Sequence, residues 1–181
     1  MLVWIQKPTE EQCQIATCER KKFFCGRKHK FGLNLQAICD AECQFLDIDM
    51  SHTAATSDYL AHTTSTIHDA LEDSLLAPSL CLFGDNAYVN QSFMATPFKA
   101  VSGRVKDDYN FYHSQLRIKI ECAFGMLVNR WGILRSALSS QLTLQKVGCL
   151  VMCLCRLHNF CISERLRDVG GNEEEFSRQL R

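Results

Sequence analysis

The stretch LCLFGDNAY, residues 80–88, decides how the chain is interpreted, because an apolar run in it stops abruptly at an acid. Leu80 to Phe83 have the length and composition of a buried strand, and Gly84 separates that strand from Asp85. Ligands of α/β proteins usually bind beyond the carboxyl ends of the strands. The stretch therefore predicts a strand that presents the carboxylate of Asp85 at a binding edge.

Two alternating runs upstream predict an antiparallel hairpin. FGLNLQAIC (31–39) and QFLDIDM (44–50) each alternate apolar and polar positions, and the DAE segment between them is typical of a turn. Ser57 is a candidate N-cap for a single helix over residues 58–73, which leads to the strand before Asp85. Strands separated by a helix favour a crossover connection, and therefore an α/β fold with a mixed sheet.

A second candidate carboxylate, Glu121, lies in a predicted helix that begins near residue 113. Arg117 and Glu121 are four residues apart on one face of this helix. A strand-tip carboxylate and a helix carboxylate together can hold Mg²⁺, which binds a few carboxylates, water and phosphate oxygens. Two interpretations stay open. Asp85 and Glu121 form such a pair, or Asp85 caps a turn and Glu121 forms a surface ion pair with Arg117. The apolar stripe of the helix is Leu116, Ile120, Ala123 and Leu127.

The sequence predicts one domain followed by a short tail. The 181 residues suffice for one domain with a sizeable core, and a hydrophobic content of 46% excludes a disordered chain. A last helix over residues 140–167 is predicted to end before Gly170, so that residues 1–167 form the domain and residues 168–181 a charged, disordered tail. No apolar run reaches the length of a membrane span and MLVWIQKP does not resemble a signal peptide, which predicts an intracellular protein with no membrane partner.

The charged residues are unevenly distributed, although the formal net charge is zero. Residues 31–98 contain nine acids and no Lys or Arg, whereas RKKFFCGRKHK (20–30) holds six basic residues. An acidic centre between basic flanks suits a metal site beside a phosphate backbone, and an ordinary solvated surface is the other interpretation. The candidate phosphate contacts are Lys21, Lys22, Arg27, Lys28, Lys30 and Arg117.

The eleven cysteines are interpreted as reduced thiols, several of them in the core. Their number is odd and no secretory signal is present, which disfavours a disulfide framework. Zinc is the alternative, but neither of two loose groups contains the C-x-x-C pair that most structural zinc sites have. The first group is Cys13, Cys18, Cys25 and His29, and the second is Cys153, Cys155, His158 and Cys161.

Two adjacent polar residues, His158 and Asn159, interrupt the apolar pattern of the last helix. Polar groups inside a protein need hydrogen-bond partners. The sequence therefore predicts that both residues form a buried, hydrogen-bonded structural pair.

Five motifs, in order along the chain, resemble the catalytic domain of PIF/Harbinger transposases and of the transposase-derived nuclease-like proteins in that group. These proteins belong to the DDE superfamily of endonucleases. The resemblance runs from about Leu2 to Arg165, and the fourth motif is its most specific part. The motifs are RKHKFGLNLQAICD (27–40), QFLDIDMSHTAATSDYL (44–60), LFGDNAY (82–88), NFYHSQLRIKIECAFGMLVNRWGIL (110–134) and CRLHNFCI (155–162).

This resemblance implies an RNase H-like fold, with a mixed sheet flanked by helices, and metal-dependent DNA cleavage and strand transfer. Asp85 matches the second catalytic Asp of the family and Glu121 the catalytic Glu, so these two residues would bind Mg²⁺ or Mn²⁺. Asp58 stands where an acid is common in the family and is expected to support the metal site. A first-turn or capping Asp is the other interpretation of Asp58.

The resemblance also implies partners and a location. DNA would be the substrate, and a separate Myb-like protein would supply sequence recognition, since no helix-turn-helix or zinc-finger pattern is present in the sequence. A homo-oligomer is a further expectation. The expected location is the nucleus, with the cytoplasm as a second place.

One residue of the family pattern has no counterpart. The family's first Asp lies in an Asp-Gly-Thr-type motif before an apolar run like MLVWI, and no Asp precedes Asp40 here. The chain is therefore interpreted as an N-terminally truncated domain that lacks its first catalytic Asp and cleaves DNA poorly. The alternative is a non-catalytic, domesticated or decayed transposase that binds DNA or protein.

Overall fold

The computed structural model describes residues 1–5, 20–73, 76–100, 102–139 and 141–179. Four strands form an antiparallel sheet around β3 (Lys30–Cys39). Strand β3 pairs with β1 (Leu2–Ile5), β2 (Phe24–Cys25) and β4 (Phe45–Thr53). A short 3₁₀ helix, Arg20–Phe23, precedes β2. The long central strand therefore connects every part of this sheet.

The predicted hairpin is confirmed as strands β3 and β4. Its turn is closed by Asp40, whose Oδ1 accepts the N–H groups of Glu42 at 3.0 Å and Gln44 at 2.8 Å. Cys43 completes the reversal with a φ of 67°, in the left-handed region. The sequence pattern and the turn chemistry agree on one register here.

The helix predicted over residues 58–73 is two helices, α1 (Asp58–Thr63) and α2 (Thr66–Glu72). Ser57 is the N-cap of α1, as predicted, and its Oγ accepts the N–H of Leu60 at 3.3 Å. The break follows from a second cap, because Ser65 Oγ accepts the N–H of His68 at 3.3 Å and starts α2.

The strand before Asp85 is shorter than predicted and belongs to a second sheet. Strand β5 (Leu82–Phe83) pairs in parallel with β6 (Met94–Ala95), within a segment predicted to be a loop. The described strands therefore form an antiparallel sheet and a separate parallel pair. This arrangement differs from the single mixed sheet that the sequence predicted. The class is nevertheless mixed α/β.

Two long helices complete the domain. Helix α3 (Arg104–Arg130) begins nine residues before the predicted start at residue 113, directly after Gly103, which has a φ of 95°. A 3₁₀ turn, Gly132–Arg135, leads towards α4 (Leu144–Gln179). The last helix continues past Gly170, where its end was predicted, so the division into residues 1–167 and 168–181 stays a prediction.

One main core joins the antiparallel sheet to helices α3 and α4. The predicted stripe of α3 is confirmed for Ala123 and Leu127, which are fully buried, whereas Leu116 is exposed. The buried side chains of the main core, from strands and helices, include Val3, Leu33, Leu35, Phe45, Ala123, Leu127, Val147, Val151 and Leu154. Burial of these side chains is the main stabilising contribution to the fold.

His158 and Asn159 are a hydrogen-bonded structural pair, as predicted. Asn159 Oδ1 accepts the N–H of Phe45 at 2.8 Å, and its Nδ2 donates to the carbonyl of the same residue at 2.7 Å. His158 is fully buried, and its Nε2 lies 2.9 Å from the carbonyl oxygen of Cys43. Arg130 Nη1 donates to His158 Nδ1 at 3.2 Å, which leaves Nε2 to carry the ring proton. Helix α4 is therefore hydrogen-bonded to the turn end of the β-hairpin.

By length and composition alone, residues Leu144–Arg165 of α4 could cross a membrane, contrary to the expectation that no segment is long enough. The same composition suits a core helix, because Val147, Val151 and His158 are buried against the rest of the domain. Length and composition are therefore weak evidence for a membrane span here.

Candidate active site

A cavity of about 500 Å³ opens between β3, α1, β5 and α3. The three carboxylates that the sequence singled out, Asp58, Asp85 and Glu121, all line this cavity, as do Asp40 and Asp47. The three come from a helix start, a strand end and the middle of a long helix. Because these residues are far apart in the sequence, at positions 58, 85 and 121, only the folded chain forms this site.

Asp85 lies in a tight turn directly after β5. Its Oδ1 accepts the N–H of Ala87 at 2.8 Å, and its backbone carbonyl accepts the N–H of Tyr88 at 3.3 Å. A Cβ at Gly84 would lie 2.9 Å from Met94 Sδ and 3.0 Å from the Tyr88 ring, so a larger residue before Asp85 would require these side chains to shift. One oxygen of Asp85 thus forms a turn cap, and the described residues offer no hydrogen bond to the other.

Glu121 lies on α3 and is paired with Arg117, four residues earlier. Arg117 Nη1 donates to Glu121 Oε1 at 2.5 Å, and the Glu121 side chain is 57% exposed. The surface ion pair that the sequence allowed is therefore present. It is compatible with a place on the cavity wall, since both residues also line the cavity.

Asp58 is the first residue of α1, but it does not cap that helix. Ser57 does so, which leaves the carboxylate of Asp58 to bond with strand β3. Its Oδ1 accepts Asn34 Nδ2 at 2.9 Å and Gln36 Nε2 at 3.3 Å. Asp58 is therefore a first-turn residue, as the second interpretation allowed, but not the cap, and two side-chain amides hold its carboxylate in the cavity wall.

Asp58 and Asp85 both act electrostatically on the amino group of Met1, the first residue of the printed sequence. The Met1 nitrogen donates to the carbonyl of Leu35 at 2.8 Å and lies beside the cavity. Burial lowers the pKa of this amino group, whereas Asp58 and then Asp85 oppose that shift by stabilising its charged form. Two of the three carboxylates therefore act on a single positive charge at one point.

The chemistry of these side chains suits a divalent cation. Within the described part of the chain, no three His, Cys, Asp or Glu side chains are close enough together to hold a metal ion among them. Magnesium does not require such a cage, because it keeps several waters and binds one or two carboxylates together with phosphate oxygens of a substrate. Asp85, Glu121 and Asp58 can supply one or two such carboxylates, since all three line the cavity.

The predicted phosphate contacts divide into two groups. Lys21, Lys22, Arg27 and Lys28 are exposed on the segment before β3 and do not line the cavity; Lys30, the first residue of β3, is exposed as well. Arg117 does line the cavity, as does Lys119, which the sequence analysis did not select. On the α3 side the cavity therefore has two basic side chains beside Glu121, and the β3–β4 hairpin, α1 and β5 contribute only acids among their charged residues.

The cysteine groups do not form a recognisable zinc site among the described residues. In the first group, Cys13 and Cys18 lie outside those residues, while Cys25 is buried. In the second, Cys153 is exposed and Cys155 is buried, so the members face different environments. Burial raises the pKa of Cys155 to about 11, which keeps its thiol protonated, as expected of a reduced core cysteine.

Sequence reasoning missed three residues around Asp58: Gln36 and Tyr88, which line the cavity, and Asn34, which donates a hydrogen bond to Asp58. Asn34 and Gln36 occupy the face of β3 opposite to Leu33 and Leu35, and in an alternating strand that face is normally assigned to solvent. Asn34 is only 1% exposed, so both faces of the strand are covered. The usable signal was a pair of amides, two positions apart, in an otherwise apolar strand.

The fold and cavity define an α/β domain with an acidic cleft bordered by basic residues. Residues 1–159 match the family described as DDE superfamily endonuclease. Because the match covers most of the chain, the protein belongs to that family of transposase-type endonuclease domains. A search of curated proteins found no match, and a search of solved structures found none either.

Proposed function

We propose that this domain is a transposon-derived DNA endonuclease of the PIF/Harbinger type that depends on a divalent cation, Mg²⁺ or Mn²⁺. Asp85 and Glu121 would bind the cation, and Asp58, which lines the same cavity, would support it. The observation that carries the proposal is that these three carboxylates line one cavity of a chain that belongs to the DDE endonucleases.

When bound, a divalent cation in such a site would activate water and stabilise the leaving oxygen of a phosphodiester. The residues of the chain have separate tasks around it. Asp85 is held by its turn, and Asp58 by the amides of β3, so both carboxylates are oriented before substrate arrives. Arg117 and Lys119 border the cavity and would attract the DNA backbone, although phosphate contacts carry little sequence information.

Several finer features extend this proposal. The order of the antiparallel strands β1, β3 and β4, then helices and a strand that leads to Asp85, supports an RNase H-like arrangement. A DNA substrate, a Myb-like partner for sequence recognition, self-association and a nuclear location follow from the Harbinger assignment. Because no Asp precedes Asp40, we expect weak cleavage by residues 1–181 and stronger cleavage after addition of an Asp-Gly-Thr segment ahead of Met1.

The test is nicking of supercoiled plasmid DNA with Mg²⁺ or Mn²⁺, in the chain as printed and in the form with the added Asp-Gly-Thr segment. We expect Asp85→Ala and Glu121→Ala to lower the nicking rate of the extended form at least about 100-fold, since each removes a charged group from the reacting centre. Chelation of the metal should have the same effect.

The matched control is Asp108→Ala. Asp108 is also on α3 and also forms an i,i+4 ion pair, with Arg104 at 3.7 Å, but it does not line the cavity. This variant should nick at the rate of the unmodified protein. Equal nicking by the Asp85→Ala variant and the unmodified protein would exclude the proposed site.

A second candidate function is a non-catalytic domain that binds DNA or protein. The specific observation in its favour is that Glu121 is largely exposed and already paired with Arg117, so that the described acids do not form a ready three-residue metal site. DNA binding without nicking in any form, unaffected by Asp85→Ala, is the outcome that would favour this function.

A further inference from the structure

We propose that Asn34, Gln36 and Tyr88 are positioning residues that set the Asp58 carboxylate relative to the turn of Asp85. The inference rests on the proposed function for its meaning in catalysis. Its basis is a continuous chain of hydrogen bonds across the cavity wall, from the Asp85 turn through strand β3 to the start of helix α1.

The chain begins at Tyr88, three residues after Asp85. Its hydroxyl donates to Gln36 Oε1 at 2.6 Å, while its backbone N–H bonds to the carbonyl of Asp85. The ring packs against His62 of α1, with centroids 5.3 Å apart. Burial, Asp58 and Asp85 all raise the pKa of Tyr88 above its usual range, so the hydroxyl stays a donor at neutral pH.

The direction of the remaining bonds follows from this donor. Because Gln36 Oε1 accepts from Tyr88, Gln36 Nε2 is free to donate, and it does so to Asn34 Oδ1 at 3.0 Å and to Asp58 Oδ1 at 3.3 Å. Asn34 Nδ2 donates to Asp58 Oδ1 at 2.9 Å and to the carbonyl of Thr56 at 3.3 Å. Each donor therefore has an acceptor, and the chain ends on a carboxylate.

The cost of this arrangement indicates that it serves more than packing. Asn34 is 1% exposed in the middle of a core strand, where burial of an amide is unfavourable unless its hydrogen bonds are made. The bonds converge on Oδ1 of Asp58, and no described residue bonds to Oδ2. One oxygen is thus fixed by the protein, and the other remains for a ligand in the cavity.

Outer groups that orient a metal ligand typically alter metal affinity by 10–100-fold when they are removed. Tyr88→Phe is the sharpest variant, because it removes only the hydroxyl and keeps the ring against His62. We expect it to weaken Mn²⁺ binding about 10-fold, measured from the electron paramagnetic resonance signal of free Mn²⁺. The control is Tyr59→Phe, next to Asp58 in sequence, whose side chain is exposed; it should bind Mn²⁺ normally.

Coupling to Asp58 separates a positioning role from a general loss of structure. If Tyr88 acts through Asp58, the double variant Tyr88→Phe/Asp58→Asn should bind Mn²⁺ no more weakly than Asp58→Asn alone. Additive losses would overturn the proposal. The proposal would also be overturned if Asp85→Ala abolished Mn²⁺ binding while Tyr88→Phe bound Mn²⁺ normally.

A second measurement needs no metal. The side-chain amide resonances of Asn34 and Gln36, in ¹⁵N-labelled protein, should shift in Tyr88→Phe and stay in place in Tyr59→Phe. If Asp85→Ala leaves Mn²⁺ binding intact, the proposed metal function fails, and these resonances alone decide the network. Unchanged Asn34 and Gln36 resonances in Tyr88→Phe would overturn it.

Discussion

Two regions of the molecule bury polar side chains, and they differ in how their hydrogen bonds end. At the hairpin end of the sheet, His158 and Asn159 bond to the backbone of Cys43 and Phe45. At the cavity, the amides of β3 bond to Asp58, an acid that lines open space. The first network ends on backbone groups of the hairpin, and the second ends on a carboxylate that lines the cavity.

The difference separates structural polarity from functional polarity. A backbone group bonded to Asn159 has no further chemistry, so that network can only stabilise the fold. A carboxylate with one oxygen fixed and one available can act on a ligand, and its supporting bonds make its position precise. Variants of the two regions should therefore affect different measurements.

The largest expected effect on stability is at the first network. Asn159→Leu would leave the N–H and the carbonyl of Phe45 without partners in the core, at about 1–3 kcal/mol for each buried group. We expect the free energy of unfolding to fall by about 2–4 kcal/mol in urea titrations, with normal Mn²⁺ binding in the folded protein. Asn129→Leu, which affects only an exposed contact with Arg135, should stay within about 0.5 kcal/mol.

Weaker Mn²⁺ binding in Asn159→Leu, under conditions where it is folded, would show that the two regions are not separate. An unchanged free energy of unfolding would show that water replaces the Asn159 bonds at no cost. Either result would remove the distinction between the two networks.

A smaller effect is expected from pH, and it involves both regions. Burial lowers the pKa of His158 in the first network and of His62, which packs against Tyr88, below the usual 6.5. The unfolded chain therefore takes up these protons first, so the stability contribution is complete above pH 6.5 and is lost as pH falls from 6.5 through the folded-state pKa values.

The measurement is the free energy of unfolding at pH 7.5, 6.5 and 5.5. The unmodified protein should lose at most about 1.4 kcal/mol per pH unit for each of these histidines below pH 6.5. His158→Gln and His62→Gln should each lose less over the same range. Identical pH profiles in all three proteins would mean that neither ring is held neutral by burial.

The sequence was sufficient where the interactions are local or periodic. The hairpin followed from alternation, the ion pair of Arg117 with Glu121 from a spacing of four, and the Ser57 cap from residue type. Ser65 also fits a cap, but only hydrogen bonding in the folded chain showed that it divides the predicted helix.

The contacts that build the cavity were beyond such reasoning, because they join distant positions. Gln36 and Tyr88 are separated by 52 residues, and the local bond of Gln36 to Asn34 does not indicate the contact with Tyr88. Strand β5 is only two residues long, so its pairing with β6 leaves no periodic pattern to detect. A family resemblance supplied Asp85 and Glu121 as candidates, but the positioning bonds of Asp58 required three-dimensional contacts.

The smallest effect on stability is expected at the rim of the cavity, where Arg117 bonds to Glu121 at the protein surface. Exposed i,i+4 ion pairs contribute about 0.3–0.5 kcal/mol, so Arg117→Gln should change the free energy of unfolding by less than about 0.5 kcal/mol.

If Arg117 contacts a phosphate, the same variant should lower the slope of log Kd for DNA against log salt concentration by about 1. Arg104→Gln, on the same helix but outside the cavity lining, should leave that slope unchanged. Equal slopes for both variants would show that Arg117 does not contact a DNA phosphate. A loss of more than about 2 kcal/mol in the free energy of unfolding of Arg117→Gln would instead show that Arg117 is a structural residue, like His158.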